Sequence, residues 1–187
     1  RGVLLPVAGG HGAPAHGRRA AAGPADSRRR HLPVAAACAA LAAPPAWAAA
    51  IATPRQTEGP FYPLDWSGDV DNDLVLVRGE RAKALGRVAH VLGRVLDAQG
   101  RPVTDASVEI WQCDSVGAYI HSGSVNRNKR DGNFQGFGRF LTGSTGEYLF
   151  RNIKPVPYPA RAPHIHYAIK LKGREKFTTQ CYIKGHP

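Results

Sequence analysis

Methionine is absent from all 187 residues, position 1 included, so the chain has no ordinary translation start and is expected to be truncated, at its C-terminus as well. Its three cysteines, Cys38, Cys113 and Cys181, form no CxxC pair and no regular spacing, which argues against a disulfide framework or a zinc site. A Cys113–Cys181 pair stays open. The apolar stretch from Leu32 to Ala43 falls short of the ~20 residues a bilayer-spanning helix needs, so stable membrane insertion is not expected. No window sustains a helical period, and no segment repeats. Acidic residues are scarce, 14 against 25 basic, for a net charge of +11. Six of the arginines lie in residues 1–48; the rest of the chain carries a dispersed +6, which suits anionic small molecules and gives no nucleic-acid patch.

What is present divides the chain. Residues 1–50 hold 18 alanines and the remaining 137 residues hold 10. Within the alanine-rich part, Ser27-Arg-Arg-Arg-His-Leu32, the apolar stretch and Ala46-Trp-Ala48 follow the order of a twin-arginine export signal with a small-residue cleavage site. The plainer reading is an Ala/Arg-rich tail of biased composition. The expected organisation is a disordered or upstream extension over 1–26, a twin-arginine-type signal over 27–48 and one domain over 49–187, exported to the periplasm or beyond. In that domain, short β-like runs at 74–77, 88–96, 107–112, 139–142, 148–151, 164–171 and 177–183 alternate with Gly, Pro, Asp and Asn turns. Such a pattern predicts an all-β fold, an antiparallel β-sandwich with little helix. The stretch 95–111 looks like two strands joined by a turn at 97–100.

Side chains two apart on a strand share a face, so His164 and His166 project together from the run at 162–171 while Ile165 points away. Two aligned imidazoles form a chelate. With the phenols of Tyr119 and Tyr158 nearby, the set would suit a hard, high-valent ion such as ferric iron. Alone, each element has a bland explanation. His-x-His is more often strand polarity, Tyr158 between prolines a packing residue, Tyr119 a loop aromatic, Arg161 a solvated charge and Gln180 an edge-strand amide. Trp111 is expected in the sandwich core, and His121 as a turn histidine.

Six motifs in order change those odds: Thr57-Glu-Gly-Pro-Phe-Tyr-Pro63, Val108-Glu-Ile-Trp-Gln112, Gly117-Ala-Tyr119, Phe137-Gly-Arg-Phe-Leu-Thr142, Ile153-Lys-Pro-Val-Pro-Tyr-Pro159 and Arg161-Ala-Pro-His-Ile-His166. Together they resemble the intradiol ring-cleavage dioxygenases over about residues 55–187. The resemblance implies Fe(III) held by Tyr119, Tyr158, His164 and His166, with Tyr158 and His166 axial. It implies a catecholic substrate that displaces Tyr158, and O2 as co-substrate, with cleavage between the two hydroxylated carbons to a muconate-type diacid. Tyr158 is then also catalytic, as a base. Arg161 stabilises charge developing on the ring, and Gln180 lies against the substrate. The Glu58–Tyr62 segment is taken as structural, with Tyr62 a lesser candidate for substrate contact. Two departures stand out. Only Pro-Ala-Arg-Ala-Pro separates Tyr158 from His164, a shorter gap than in protocatechuate enzymes, and no helical dimerisation segment precedes the sandwich. Homo-oligomerisation stays open. The alternative is a non-catalytic β-sandwich module that binds aromatic polymer or carbohydrate.

Overall fold

Alternation between apolar and polar side chains sorts the domain into six antiparallel strands in two sheets. The computed structural model describes residues 51–63 and 68–185; the expected leader at 27–48 and the extension at 1–26 lie outside the described residues. Strands β1 (Val88–Arg94) and β4 (Glu147–Ile153) form one sheet. Strands β2 (Ser107–Trp111), β3 (Phe137–Leu141), β5 (His164–Lys170) and β6 (Phe177–Tyr182) form the other, in the order β3-β2-β5-β6. One turn of 3-10 helix, Arg127–Lys129, is the other regular element among the described residues. The all-β expectation holds.

The four-stranded sheet buries both of its faces. On one, Val108 and Ile110 of β2 and Ile165, Tyr167 and Ile169 of β5 meet Tyr148, Phe150 and Ile153 of β4 in the main core. Burial of such side chains is worth about 1.5–3 kcal/mol each. On the other face, loops cover a second cluster of Trp111, Tyr119, Phe137 and Ala168, with Phe61, Tyr62 and Tyr158 packed against it. β5 is therefore buried at six of its seven positions, and its polar residues sit in the interior.

Register places one row of side chains across this second face. Trp111 pairs with Phe137 on one side and with His166 on the other, and His166 pairs in turn with Gln180. His164 lies opposite Tyr182.

Two expectations change. The run at 74–77 is not a strand, although Leu74 and Val75 are fully buried. Aspartates compete for its backbone: Asp71 Oδ1 accepts from Asp73 N–H at 2.8 Å, Asp73 Oδ1 from Val75 N–H at 3.0 Å, and Asp69 Oδ2 from Arg78 N–H at 2.9 Å. Only a lone bridge from Asp73 to Arg151 remains. The turn at 97–100 forms, but the pairing it starts stops at one bridge, Leu96 to Pro102, and β1 and β2 go to different sheets.

Candidate metal centre

Three segments bring the four predicted donors together. β5 supplies His164 and His166, both about 2% exposed or less. The loop after β2 supplies Tyr119, and its shape comes from buried Asp114. Asp114 Oδ1 accepts N–H groups from Val116 and Ala118 at 2.9 Å each, and its own N–H donates to Ala118 O at 2.9 Å. Tyr119 N–H then donates to Ser124 Oγ at 2.7 Å. The third segment is a tight turn in which Arg161 N–H donates to Tyr158 O at 2.9 Å, with Ala160 left-handed at φ 61°. Gly117 makes the meeting of the two tyrosine loops sterically feasible. Its φ is +81°, and a Cβ there would lie 3.1 Å from Tyr158 Cβ.

The rings close a circuit. Centroids are 5.5 Å apart for Tyr119–Tyr158, 5.5 Å for Tyr158–His164, 4.7 Å for His164–His166 and 5.9 Å for His166–Tyr119. The two Nε2 atoms stand 3.1 Å apart. That is the spacing of two imidazoles each ~2.1 Å from one ion. His164 Nδ1 lies 2.7 Å from Ala162 O, which assigns its proton to Nδ1 and leaves Nε2 a lone pair. Tyr119 Oη is buried without a hydrogen-bond partner. A buried hydroxyl with no partner costs free energy unless something else engages it. Two imidazoles and two phenols therefore fit a hard cation. Among the described residues no group of three or more His, Cys, Asp or Glu offers another such site.

Electrostatics agree with that chemistry. Burial, with the Tyr158 hydroxyl beside it, pushes Tyr119 far above the usual phenol range, so a phenolate there requires a neighbouring cation. Burial lowers His164 and, together with the His164 ring and Arg161, brings His166 down to about 3. Both imidazoles are neutral donors at neutral pH. An unfolded chain takes up a proton on this imidazole below its ordinary value of 6.5, whereas the folded chain refuses it down to about 3. Folded-state stability is then lost as pH falls through that window. Between pH 7.5 and pH 5 the loss from His166 is about 2 kcal/mol in chelator-stripped protein. Urea midpoints of wild type and His166→Asn across this range check it; equal pH slopes for the two would contradict the assignment.

Arg161 and Gln180 also come together. Arg161 Nη2 donates to Gln180 Oε1 at 2.6 Å and to Tyr182 Oη at 3.2 Å. Tyr182 Oη donates to the same Gln180 oxygen at 2.9 Å, and Gln180 Nε2 donates to Thr57 O at 2.9 Å. Tyr182, half exposed, with its ring 5.4 Å from His164, is a site residue that sequence reasoning missed. Its signal is register, two residues past Gln180 on the same face. Phe61 stacks on Tyr119 at 4.8 Å. Tyr62 does not point at the donors: its hydroxyl donates to Glu109 Oε2 at 2.8 Å and accepts from Lys170 Nζ at 2.9 Å. His121 is the expected turn histidine, its Nδ1 accepting from Gly123 N–H at 3.0 Å. Trp111 lies in the site cluster rather than between the sheets. Cys113 and Cys181 are free and pack on opposite faces of the sheet, and burial raises Cys113 to about 12.

Known proteins share this arrangement's sequence and fold. Residues 57–187 match the family model described as "Dioxygenase". The protocatechuate 3,4-dioxygenase beta chain of Burkholderia cepacia is 35% identical over 142 residues, covering 71% of this chain and 60% of that protein. Catechol 1,2-dioxygenase of Acinetobacter baylyi is 29% identical, covering 73% of this chain and 48% of that protein. The chain thus spans about half to three-fifths of these relatives' length. Among solved structures, the dioxygenase domain of a dioxygenase carbohydrate-binding protein fusion from Streptomyces sp. SirexAA-E is 32% identical with a TM-score of 0.58, covering 72% of this chain and 77% of that one. With more than half of its length matched and the same sandwich around it, the chain belongs to the intradiol ring-cleavage dioxygenase family.

Proposed function

We propose that this domain holds ferric iron through Tyr119, Tyr158, His164 and His166 and cleaves a catecholic ring with O2 between its two hydroxylated carbons. The observation that carries this is a pair of Nε2 atoms 3.1 Å apart beside a fully buried phenol whose only polar neighbour is the other tyrosine of the set. A binding module has no use for four donors in one circuit. When bound, the ferric ion supplies Lewis acidity toward both substrate oxygens, which is what prepares a catechol for reaction with O2.

The protein groups divide the remaining work. Tyr119 is 1% exposed under the Phe61 ring, so it is a fixed ligand. Tyr158 sits half-buried in a four-residue turn and is the donor with freedom to swing away. Its Oη then accepts a proton from an incoming hydroxyl, the general-base role. Arg161 brings a permanent charge to the imidazole pair, where negative charge develops on the ring. Every polar atom of the Gln180 amide is already engaged, so Gln180 acts by holding that guanidinium in place.

Reconstitution with ferric iron is expected to give a visible phenolate-to-iron absorption band and oxygen uptake with catechol, protocatechuate or hydroxyquinol. Tyr158→Phe should weaken the band and lower uptake by about 100-fold or more. Iron-loaded protein without colour would sink the proposal.

A further inference from the structure

The two imidazoles of the candidate centre are not held alike. A metal-ligating histidine ordinarily donates its second ring N–H to a carboxylate, carbonyl or water, which sets both tautomer and ring plane. His164 has that support from Ala162 O at 2.7 Å. His166 does not: its Nδ1 is buried with no hydrogen-bond partner. Something else must fix the plane of this ring.

Trp111 is the group placed to do so. It is the cross-strand partner of His166 in the β2–β5 register, on the same face of the sheet. Its indole lies 4.9 Å from the imidazole at an interplanar angle of 10°. Gly59 closes in on the ring at Cε1: with φ at +76°, a Cβ on it would stand 3.3 Å from that atom. The indole is itself braced. Tyr62 meets it edge-on at 5.0 Å and 86°, and the Tyr62 hydroxyl is tied to Glu109 and Lys170. Trp111 is fully buried and its Nε1 has no hydrogen-bond partner, so it offers this neighbour only its π face.

We propose that Trp111 is a positioning residue for His166. Its indole face replaces the missing hydrogen bond, orients the imidazole, and favours the state in which that imidazole shares the charge of a bound cation. The proposal rests on the metal-binding reading above. A neutral imidazole gains little from the negative face of an indole, whereas one donating to a cation becomes electron-poor and gains more. The stack therefore stabilises the loaded state over the empty one, which a packing contact alone would not do.

Fluorinated tryptophan separates the two, because fluorine withdraws electron density from the indole with little change of shape. The full chain is made with ordinary, monofluoro- and trifluoro-tryptophan, and its ferric affinity is measured by competition with nitrilotriacetate, with the phenolate-to-iron band as readout. Affinity should fall by about threefold and then about tenfold along the series, with the chelator-stripped melting temperature little changed. The same labelling of Trp111→Phe should have no effect, which excludes Trp47 and Trp66 as the source. Trp111→Phe should also retain more affinity than Trp111→Leu. Affinity that ignores fluorination overturns the proposal while leaving the metal site standing. A wild-type protein with no band overturns the metal site and this proposal together.

Discussion

His166→Ala is expected to abolish retention of ferric iron and to lower oxygen uptake by more than about 100-fold, since loss of groups merely supporting a ligand already costs 10–100-fold. The reason lies in the row across the four-stranded sheet. His166 is one of two nitrogens 3.1 Å apart, and removing it leaves His164 as a lone imidazole beside two phenols. Tyr119 then loses the cation that its buried hydroxyl needs in order to ionise, so the damage reaches a second donor. The control is His121→Ala. That ring is 5.8 Å from Phe61 but turns its Nδ1 to Gly123, and its removal should leave uptake within about twofold. Iron content, band intensity and oxygen consumption of both variants decide the matter, with the chelator-stripped melting temperature reporting any fold defect. Undiminished iron and uptake in His166→Ala would remove His166 from the centre.

Residues held by strand periodicity are legible in the amino-acid order itself; residues placed by long-range packing are legible only through resemblance. His164 and His166 have to share a face because a strand repeats every second residue. Tyr119 and Tyr158 have no such local constraint. They arrive from loops whose shapes depend on Asp114, Ser124 and a left-handed Ala160, so their convergence is a tertiary fact. Trp111 is expected in the sandwich core on hydrophobicity. Its parity with Glu109, opposite to Val108 and Ile110, marks it instead for the other face. The second face of a sheet is usually wet; here loops roof it, and that covering is a tertiary fact which parity alone does not announce. The assignment of β1 and β2 to different sheets is illegible for a different reason. A turn at 97–100 is a local signal, while the partner of β1 is β4, more than fifty residues on. Within 74–77 the apolar pattern is right about burial and wrong about strand, since aspartate capping of backbone N–H groups competes with a ladder.

Glu109 is the largest surprise of that roofed face, and it carries the second large effect. Its side chain is 1% exposed, yet it bears a carboxylate. Lys170 Nζ donates to Oε1 at 2.9 Å, Arg139 Nη2 stands 3.2 Å from the same oxygen, and Tyr62 Oη donates to Oε2. Burial works against the charge on Lys170, but its bonds to Tyr62 and Glu109 more than offset this and its pKa rises. Lys170→Met is expected to cost about 3 kcal/mol, because it leaves a buried carboxylate with one partly exposed cation. For a domain of this size that is a fall of roughly 10 °C in melting temperature. Changing the carboxylate as well, in Glu109→Gln with Lys170→Met, should restore stability to within about 1 kcal/mol, since the penalty belongs to the unpaired charge and not to the lost bond. Arg94→Met, which breaks the exposed pair with Glu147, should leave the urea midpoint close to that of wild type, because water and salt screen such a pair. Urea unfolding of the four proteins makes the comparison. A Lys170→Met variant as stable as wild type, or a double variant no better than the single, would mean that Lys170 is not what compensates the buried Glu109 side chain. The brace from Glu109 through Tyr62 to Trp111 would then be too soft to steady the site.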